Sequence, residues 1–428
     1  MEEGSQTADV AVIGGGAAGL AAAIFCGRGL AARGHRARIV VLDGARTLGA
    51  KILVSGGSRC NVTNRDVSDR DFWGGDRRLV RRVLRAFPAP RAAAFFETLG
   101  VALHEEENGK LFPDTQRSRT VLDALLQEAD RVGVRLVTGT RVTAVERGFV
   151  LRLADGTCWR APSVVLATGG RSLPKSGSDG TGYEMARALG HGHVATTPAL
   201  APLVLGGNRH APLSGVSHEV ALTLRTGGRV AVRLEGPLLW THFGMSGPVV
   251  LNLSRHWLRA VLEGREPDVR LNSCPGRDYA QVDGWLQEEA RLRPRTSIAT
   301  VVGQRLPAAV ARAWIQEAGL DAALPMAQLT REARRELVRV LTDLPLPVVD
   351  SRGYAVAEIT AGGVPLDEID TATMESRCCP GLYLVGEILD VDGRLGGFNF
   401  QWAWSSGFVA GEALADRLVD GARGDAEV

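Results

Sequence analysis

The stretch Asp9–Gly19 (DVAVIGGGAAG) constrains this chain more than any other. An apolar run, Val10-Ala11-Val12-Ile13, breaks into glycines at 14, 16 and 19, and an alanine-rich segment follows from Leu20 to Phe25. The run has the length and composition of a strand buried on both faces. The G-x-G-x-x-G spacing fits a strand, a tight turn and a helix. Gly14 turns the chain off the strand, Gly16 leaves room for a phosphate against the backbone, and Gly19 lets helix and strand pack closely. The helix N-terminus then points unpaired N–H groups and the positive end of its dipole at the phosphates. In a chain with 52 glycines this spacing also arises by chance, so its surroundings decide. A second apolar run, Ile39-Val40-Val41-Leu42, ends in Asp43, 24 residues after Gly19. That is close to the spacing of a carboxylate that grips an adenosine ribose. The expectation is a dinucleotide site, with Gly14, Gly15, Gly16, Ala17, Ala18 and Gly19 at the pyrophosphate and Asp43 at the ribose.

The rest of the composition narrows the class. A chain of 428 residues accommodates two or three domains, and its net charge of +2 gives no global pull towards nucleic acid or anionic membrane. The first ten residues, MEEGSQTADV, lack the basic and apolar regions of a signal peptide, and no apolar run is long enough to span a bilayer. The six cysteines (26, 60, 158, 274, 378 and 379) form no C-x-x-C, so neither a dithiol centre nor a cysteine-rich zinc site is indicated, and no metal is expected. Free thiols suit a reducing cytoplasm.

Gly49–Asn64 reads as a loop. Its Gly56 and Gly57 offer backbone N–H groups, and Lys51 and Arg59 offer charge, to a pyrophosphate or a flavin edge. Cys60, beside Arg59, raises a nucleophile reading against the commoner one of a small packing residue. Arg77–Phe87 (RRLVRRVLRAF) is an amphipathic helix, and its arginines read as a solvated face rather than a nucleic-acid footprint. Alternating helix and strand over 120–145, including Val142, suggests the crossovers of a parallel sheet. Ser163–Leu166 is another buried strand, ending in Ala167-Thr168-Gly169. From about Thr196 prolines punctuate short alternating segments, which marks an inserted antiparallel domain. Within it the stretch from Leu238 to Pro248 reads as a substrate-facing loop, with His242 as its acid/base candidate. Near the C-terminus, Leu382–Val385 leads into Gly386 and Glu387. Asp390 and then Gly396, Gly397, Phe398, Asn399 and Gln401 open a final helix. A strand-end acid suits ribityl hydroxyls, and a helix N-terminus suits the N1–C2=O end of a reduced isoalloxazine. The two chain ends therefore close on one cofactor, and FAD fits better than NAD.

The blocks DVAVIGGGAAGLAAA, GAKILVSGGSRCNVTN, ATGGRSLPKSGSDGTGY, THFGMSGP, EITAGGV and GEILDVDGRLGGFNFQWAWSSGFVAG resemble a flavoprotein family. It includes aminoacetone-oxidase-like proteins and the flavin reductase of bile-acid dehydroxylation. The resemblance spans Asp9 to Gly411. It implies an α/β fold: a Rossmann-like FAD-binding domain from both chain ends (1–195 and 356–428), an inserted β-rich domain (196–265 and 345–355) and a small helical subdomain (266–344). It implies FAD contacts at Gly14 to Gly19, Asp43, Lys51, Ser55, Gly56, Gly57, Ser58, Arg59, Cys60, Asn61, Val142, Ala167 to Gly169, Glu387 and Gly396 to Gln401. Ser58 stands where the family commonly has glycine, Asp43 where it commonly has glutamate, and Cys378-Cys379 is unusual for it.

The expected function is hydride transfer between a small organic substrate, or NAD(P)H, and flavin N5. With no second G-x-G-x-x-G unit, NAD(P)H would dock only transiently, and oxygen is the other route of reoxidation. Two readings from other classes remain: a nucleic-acid-modifying flavoprotein, and a flavin-stabilised interaction protein without turnover. Oligomeric state is not legible.

Overall fold

The computed structural model describes residues 5–426. Met1–Gly4 and the last two residues, which the sequence reading assigns to the ends of the first domain, lie outside the described residues. The chain forms two compact units. One is built from both chain ends, through Thr196 and again from Glu358, and the other spans Thr197–Ala357.

The first unit is organised on a seven-stranded sheet. Its five parallel strands are, in spatial order, Leu382–Leu384, Ser163–Leu166, Val10–Ile13, Ile39–Leu42 and Arg135–Val137. Two short antiparallel strands extend the first edge. All four residues of Val10–Ile13, of Ile39–Leu42 and of Ser163–Leu166 are buried, as strands covered on both faces require. Val142–Glu146 departs from the expected crossover pattern. It joins a separate sheet, antiparallel to Val150–Leu153, because the chain turns back after the edge strand Arg135–Val137 instead of crossing the sheet again.

The helix Ala17–Ala32 packs along the C-terminal helix Phe398–Ala426. Small residues make the approach possible. A Cβ on Gly407 or on Gly411 would stand 2.7 Å from the carbonyl oxygen of Ala18 or of Ala22. The last helix is thereby fixed to the first, and both N-termini belong to one unit.

The second unit carries an antiparallel seven-stranded sheet that includes Ser217–Thr226 and the long strand Arg229–Thr241. The helices Tyr279–Leu292, Ala308–Glu317 and Arg331–Asp343 contribute to the same apolar core as this sheet, through Leu286, Trp314 and Leu341 beside Leu222, Trp240 and Leu271. The stretch around His242 is not an irregular loop. Trp240 and Thr241 end one strand, Gly244–Ser246 forms the next, and His242-Phe243 is the turn between them. Both strands are held because Trp240 and Met245 are buried.

Candidate functional site

The three glycines of the first turn have separate tasks in the structure. Gly14 adopts φ +106°, and a Cβ there would lie 2.4 Å from the carbonyl oxygen of Ala167. A Cβ on Gly19 would lie 1.9 Å from the oxygen of Gly14, so that glycine sets the helix-to-turn distance. Gly16 is the N-cap of the Ala17–Ala32 helix, with extended backbone (φ −83°, ψ −169°) and no side-chain cap, and a Cβ there meets nothing within 4 Å. The first N–H groups of the helix therefore look onto open space.

That space is a cavity of about 700 Å³, and every residue of its wall belongs to the first unit. At one end stands Asp43. Its carboxylate accepts from the N–H groups of Gly15 and Ala45, each at 2.7 Å. These bonds fix its direction and leave lone pairs for ribose hydroxyls. Val142, Arg141 and Asp179 share this end. Asp179 accepts from Arg141 and from the N–H and hydroxyl of Thr181. Burial opposes its ionisation, but those hydrogen bonds and the Arg141 charge outweigh it and hold the carboxyl below its usual range.

In the middle of the wall Lys51 Nζ lies 2.5 Å from Glu387 Oε2 and 3.3 Å from Ser172 Oγ. Glu387 Oε1 accepts from Ser172 Oγ at 2.8 Å and from the Thr360 N–H at 2.9 Å. Lys51 thus presents a neutralised pair to the cavity rather than a free positive charge. The expected loop around it starts as a helix, since Ile52 is fully buried. The helix breaks at Ser55-Gly56-Gly57, where both glycines take positive φ (55° and 68°).

A further part of the wall is formed by Asn61, Lys110, Phe112, Glu358, Gly396 and Gly397. Asn64 Nδ2 donates to the oxygen of Gly396 at 3.1 Å and ties the C-terminal glycines to the strand pair Thr63–Asn64 and Lys110–Pro113. Asn61 Oδ1 is buried with no hydrogen-bond partner, although Asn61 lines the cavity, and Thr168 Oγ1 is in the same position. Buried polar atoms are rarely left so. An orphaned amide, an uncapped helix N-terminus, a side-chain-free Gly16 and a strand-end acid, all on one cavity, fit FAD. Held there, its phosphates would meet Gly16–Ala18, its ribose Asp43, and its ring Asn61 and Gly396–Gly397.

Other expected contacts lie elsewhere. Among the expected residues, Ala167, Gly169, Gly386, Arg59 and Asn399 also line the cavity. Gly15, Gly19, Ser58, Cys60, Asp390, Phe398 and Gln401 do not. Gln401 is fully buried and braces the core, accepting from Thr63 Oγ1 at 2.6 Å and donating to the Phe87 oxygen at 2.7 Å. Phe398 is fully buried, with its ring edge-on to Phe72. Cys60 is fully buried, and desolvation pushes its thiol up to about 12 despite a hydrogen bond with Ser55. The nucleophile reading fails for that reason. Arg59 is paired instead with Glu106 at 2.7 Å and stacks over Phe112. His242 is exposed in its turn, edge-on to Phe243. Arg141, the segment Leu173–Asp179, Lys110 and Glu358 line the cavity without having been singled out. Two of these stood in view, in the blocks ATGGRSLPKSGSDGTGY and EITAGGV.

His191, Glu368 and Cys378 are close enough to hold a metal. However, both ring nitrogens of His191 are committed, Nδ1 to Glu368 and Nε2 to Ser376, each at 2.7 Å. The cluster ties the edge strands of the first unit to the turn before Val194.

The Rossmann domain of HI0933-like proteins matches residues 8–413. The 3-dehydro-bile acid delta(4,6)-reductase of Clostridium scindens is 33% identical over 411 residues, covering 95% of this chain and 99% of that protein. The chain belongs to the HI0933-like family. A ribosomal RNA dihydrouridine synthase of Haemophilus influenzae is 32% identical over 423 residues, 96% of this chain and 99% of its own length. Among solved structures, a 3-ketosteroid-delta4-(5alpha)-dehydrogenase from Rhodococcus jostii RHA1 superposes with a TM-score of 0.48 at 17% identity, covering 97% of this chain and 98% of that one. The protein is an FAD-dependent oxidoreductase. No helix among the described residues is long and apolar enough to cross a membrane.

Proposed function

We infer that this enzyme reduces a carbon–carbon double bond conjugated to a carbonyl group in a small organic substrate. The observation that carries this reading is a shared transformation. Relatives named for a delta(4,6)-reductase and for dihydrouridine synthesis both align with this chain end to end. Their names describe different molecules but one change, saturation of a conjugated C=C bond. FAD, when bound, supplies the two-electron hydride transfer at N5.

The residues of this chain hold, orient and shield. The helix N-terminus at Gly16 and the fixed carboxylate of Asp43 anchor the nucleotide end. The Lys51–Glu387–Ser172 network stiffens the middle of the wall without adding net charge. Asn61 and the Gly396–Gly397 backbone offer polar partners at the ring end. The electron donor we assign is NAD(P)H, docking transiently, since the cofactor cavity has a single nucleotide-binding turn. His242, the acid/base candidate read from the sequence, lies in the second unit. Its replacement by alanine, with unchanged rates of flavin reduction and reoxidation, would remove it from the chemistry.

A second reading takes the uracil ring of an RNA as the substrate. Two rRNA dihydrouridine synthases at 32–33% identity favour it. The helix Arg77–Ala86 adds exposed arginines. Arg78 and Arg81 are paired with Asp76 and Asp69, whereas Arg82 and Arg85 have no partner among the described residues. Anaerobic bleaching of the flavin with NADH or NADPH, followed by 2-cyclohexen-1-one or by unmodified rRNA, tests both readings. Reoxidation by the enone supports the first. Reoxidation by rRNA alone, with affinity that falls steeply with salt, would replace it with the second.

A further inference from the structure

We propose that Glu358 is the group that delivers the proton to the substrate. This rests on the double-bond-reductase reading above, whose hydride chemistry accounts for only one of the two hydrogens added. Four carboxylates line the cavity: Asp43, Asp179, Glu358 and Glu387. Three are committed. Asp43 accepts from two backbone N–H groups, Asp179 from Arg141 and Thr181, and Glu387 from Lys51, Ser172 and Thr360. Glu358 has no hydrogen bond and no ion pair among the described residues. It immediately precedes the fully buried strand Ile359–Gly363, which gives it a rigid base.

It lies in the part of the wall proposed for the ring. Lys110 is the charged group that acts on it, and the strand of Lys110 is tied through Asn64 to Gly396. Glu358 is exposed on the cavity wall, with protein packed around it on its other sides. Desolvation therefore raises its carboxyl above the usual range, and the Lys110 charge draws it back only in part. A carboxyl that holds its proton more firmly than usual suits a general acid. The uncommitted Lys110 ammonium beside it suits the oxygen on which negative charge develops.

The atoms balance. Saturation breaks the π bond and forms two C–H bonds. One hydrogen arrives as hydride from the reduced cofactor at the carbon remote from the carbonyl, and the other as the Glu358 proton at the carbon next to it. The carboxylate left behind regains a proton from water, and a nicotinamide nucleotide restores the two electrons.

The test uses FAD-loaded wild type, Glu358→Gln and Glu358→Asp, with FAD content and thermal melting confirming that each variant folds. NADPH or NADH bleaches the flavin anaerobically, and reoxidation is then timed with 2-cyclohexen-1-one and separately with oxygen. For E358Q the expected result is reoxidation by the enone slowed about 100-fold or more, far more than any change in the oxygen rate, with partial recovery in E358D. Independently of turnover, an infrared pH titration of the apoprotein should show a carboxyl that ionises above the usual glutamate range and is missing in E358Q. Equal enone rates in wild type and E358Q, or no carboxyl titrating above the usual range, overturn the assignment while the reductase reading stands. A wild type that no conjugated acceptor reoxidises overturns both.

Discussion

Substituting Gly16 and Gly19 separates the cofactor's requirement from the fold's. A Cβ at Gly16 meets nothing within 4 Å, and the backbone there is extended, so leucine enters without strain. Losing glycine at the N-cap costs from a few tenths to about 1 kcal/mol, and the smaller entropy of the unfolded chain returns about 0.4–1 kcal/mol. The apoprotein should therefore change by under about 1 kcal/mol, or a few degrees in Tm. Cofactor binding should respond differently. The leucine side chain occupies the space before the first N–H groups of the helix, and each hydrogen bond to a charged group contributes about 1.5–3 kcal/mol. Losing two removes about 3–6 kcal/mol, which weakens FAD by about two to four orders of magnitude. Gly19→Ala is the converse. Its Cβ would stand 1.9 Å from a backbone oxygen that cannot swing away, and 3.1 Å from Ala167 Cβ. Overpacking of this kind costs about 1–3 kcal/mol or more. The assay strips FAD from each variant, melts the apoprotein, and titrates FAD back by fluorescence quenching. Gly16→Leu that binds FAD within threefold of wild type, or whose apoprotein melts as early as Gly19→Ala, would refute the reasoning.

Lys51→Met should destabilise the protein by about 1–3 kcal/mol, because the pair is 24% and 18% exposed and lies between surface and buried ion pairs in cost; denaturant titration measures this, and FAD affinity should fall with it. Iodoacetamide on the native protein should label Cys378, which is exposed, and spare Cys26 and Cys60, whose thiols burial raises to about 12; mass spectrometry after a short pulse reads the sites. His256 supplies a pH dependence. Desolvation, helped by Arg255, lowers it from 6.5 to about 3, so the unfolded chain takes up a proton before the native one does. Its contribution is fully present above pH 6.5 and is lost as pH falls towards 3. His256→Gln should flatten the fall in stability over that window, and an unchanged slope would argue against it.

The nucleotide end of this site is legible in sequence because its parts are local. A buried strand, three spaced glycines and an acid at the end of the next strand each announce their own geometry. The part of the wall proposed for the ring is assembled from residues far apart. Asn61, Lys110, Glu358 and Gly397 share one cavity only after the C-terminal helix seats on the first helix through Gly407 and Gly411. Proximity in a motif also misleads there. Gln401 sits in the glycine block but faces the core, since the helical repeat turns it towards Thr63 and Phe87. Cys60 stands next to an arginine in sequence, yet that arginine is spent on Glu106. The segment 49–64 reads as loop by its glycines, while buried Ile52 is enough to hold one helical turn before Gly56 and Gly57 break it. Arg141 gave no local signal, because its role depends on Asp179, 38 residues away.

The most direct test of the account is an anaerobic stoichiometry. The purified enzyme is bleached with one equivalent of NADPH or NADH, an excess of 2-cyclohexen-1-one is added, and flavin absorbance is followed together with formation of the saturated ketone. The account predicts recovery of the oxidised flavin with one molecule of saturated product per flavin. A flavin that stays bleached with the enone and with rRNA, and recovers its colour only in oxygen, would contradict it.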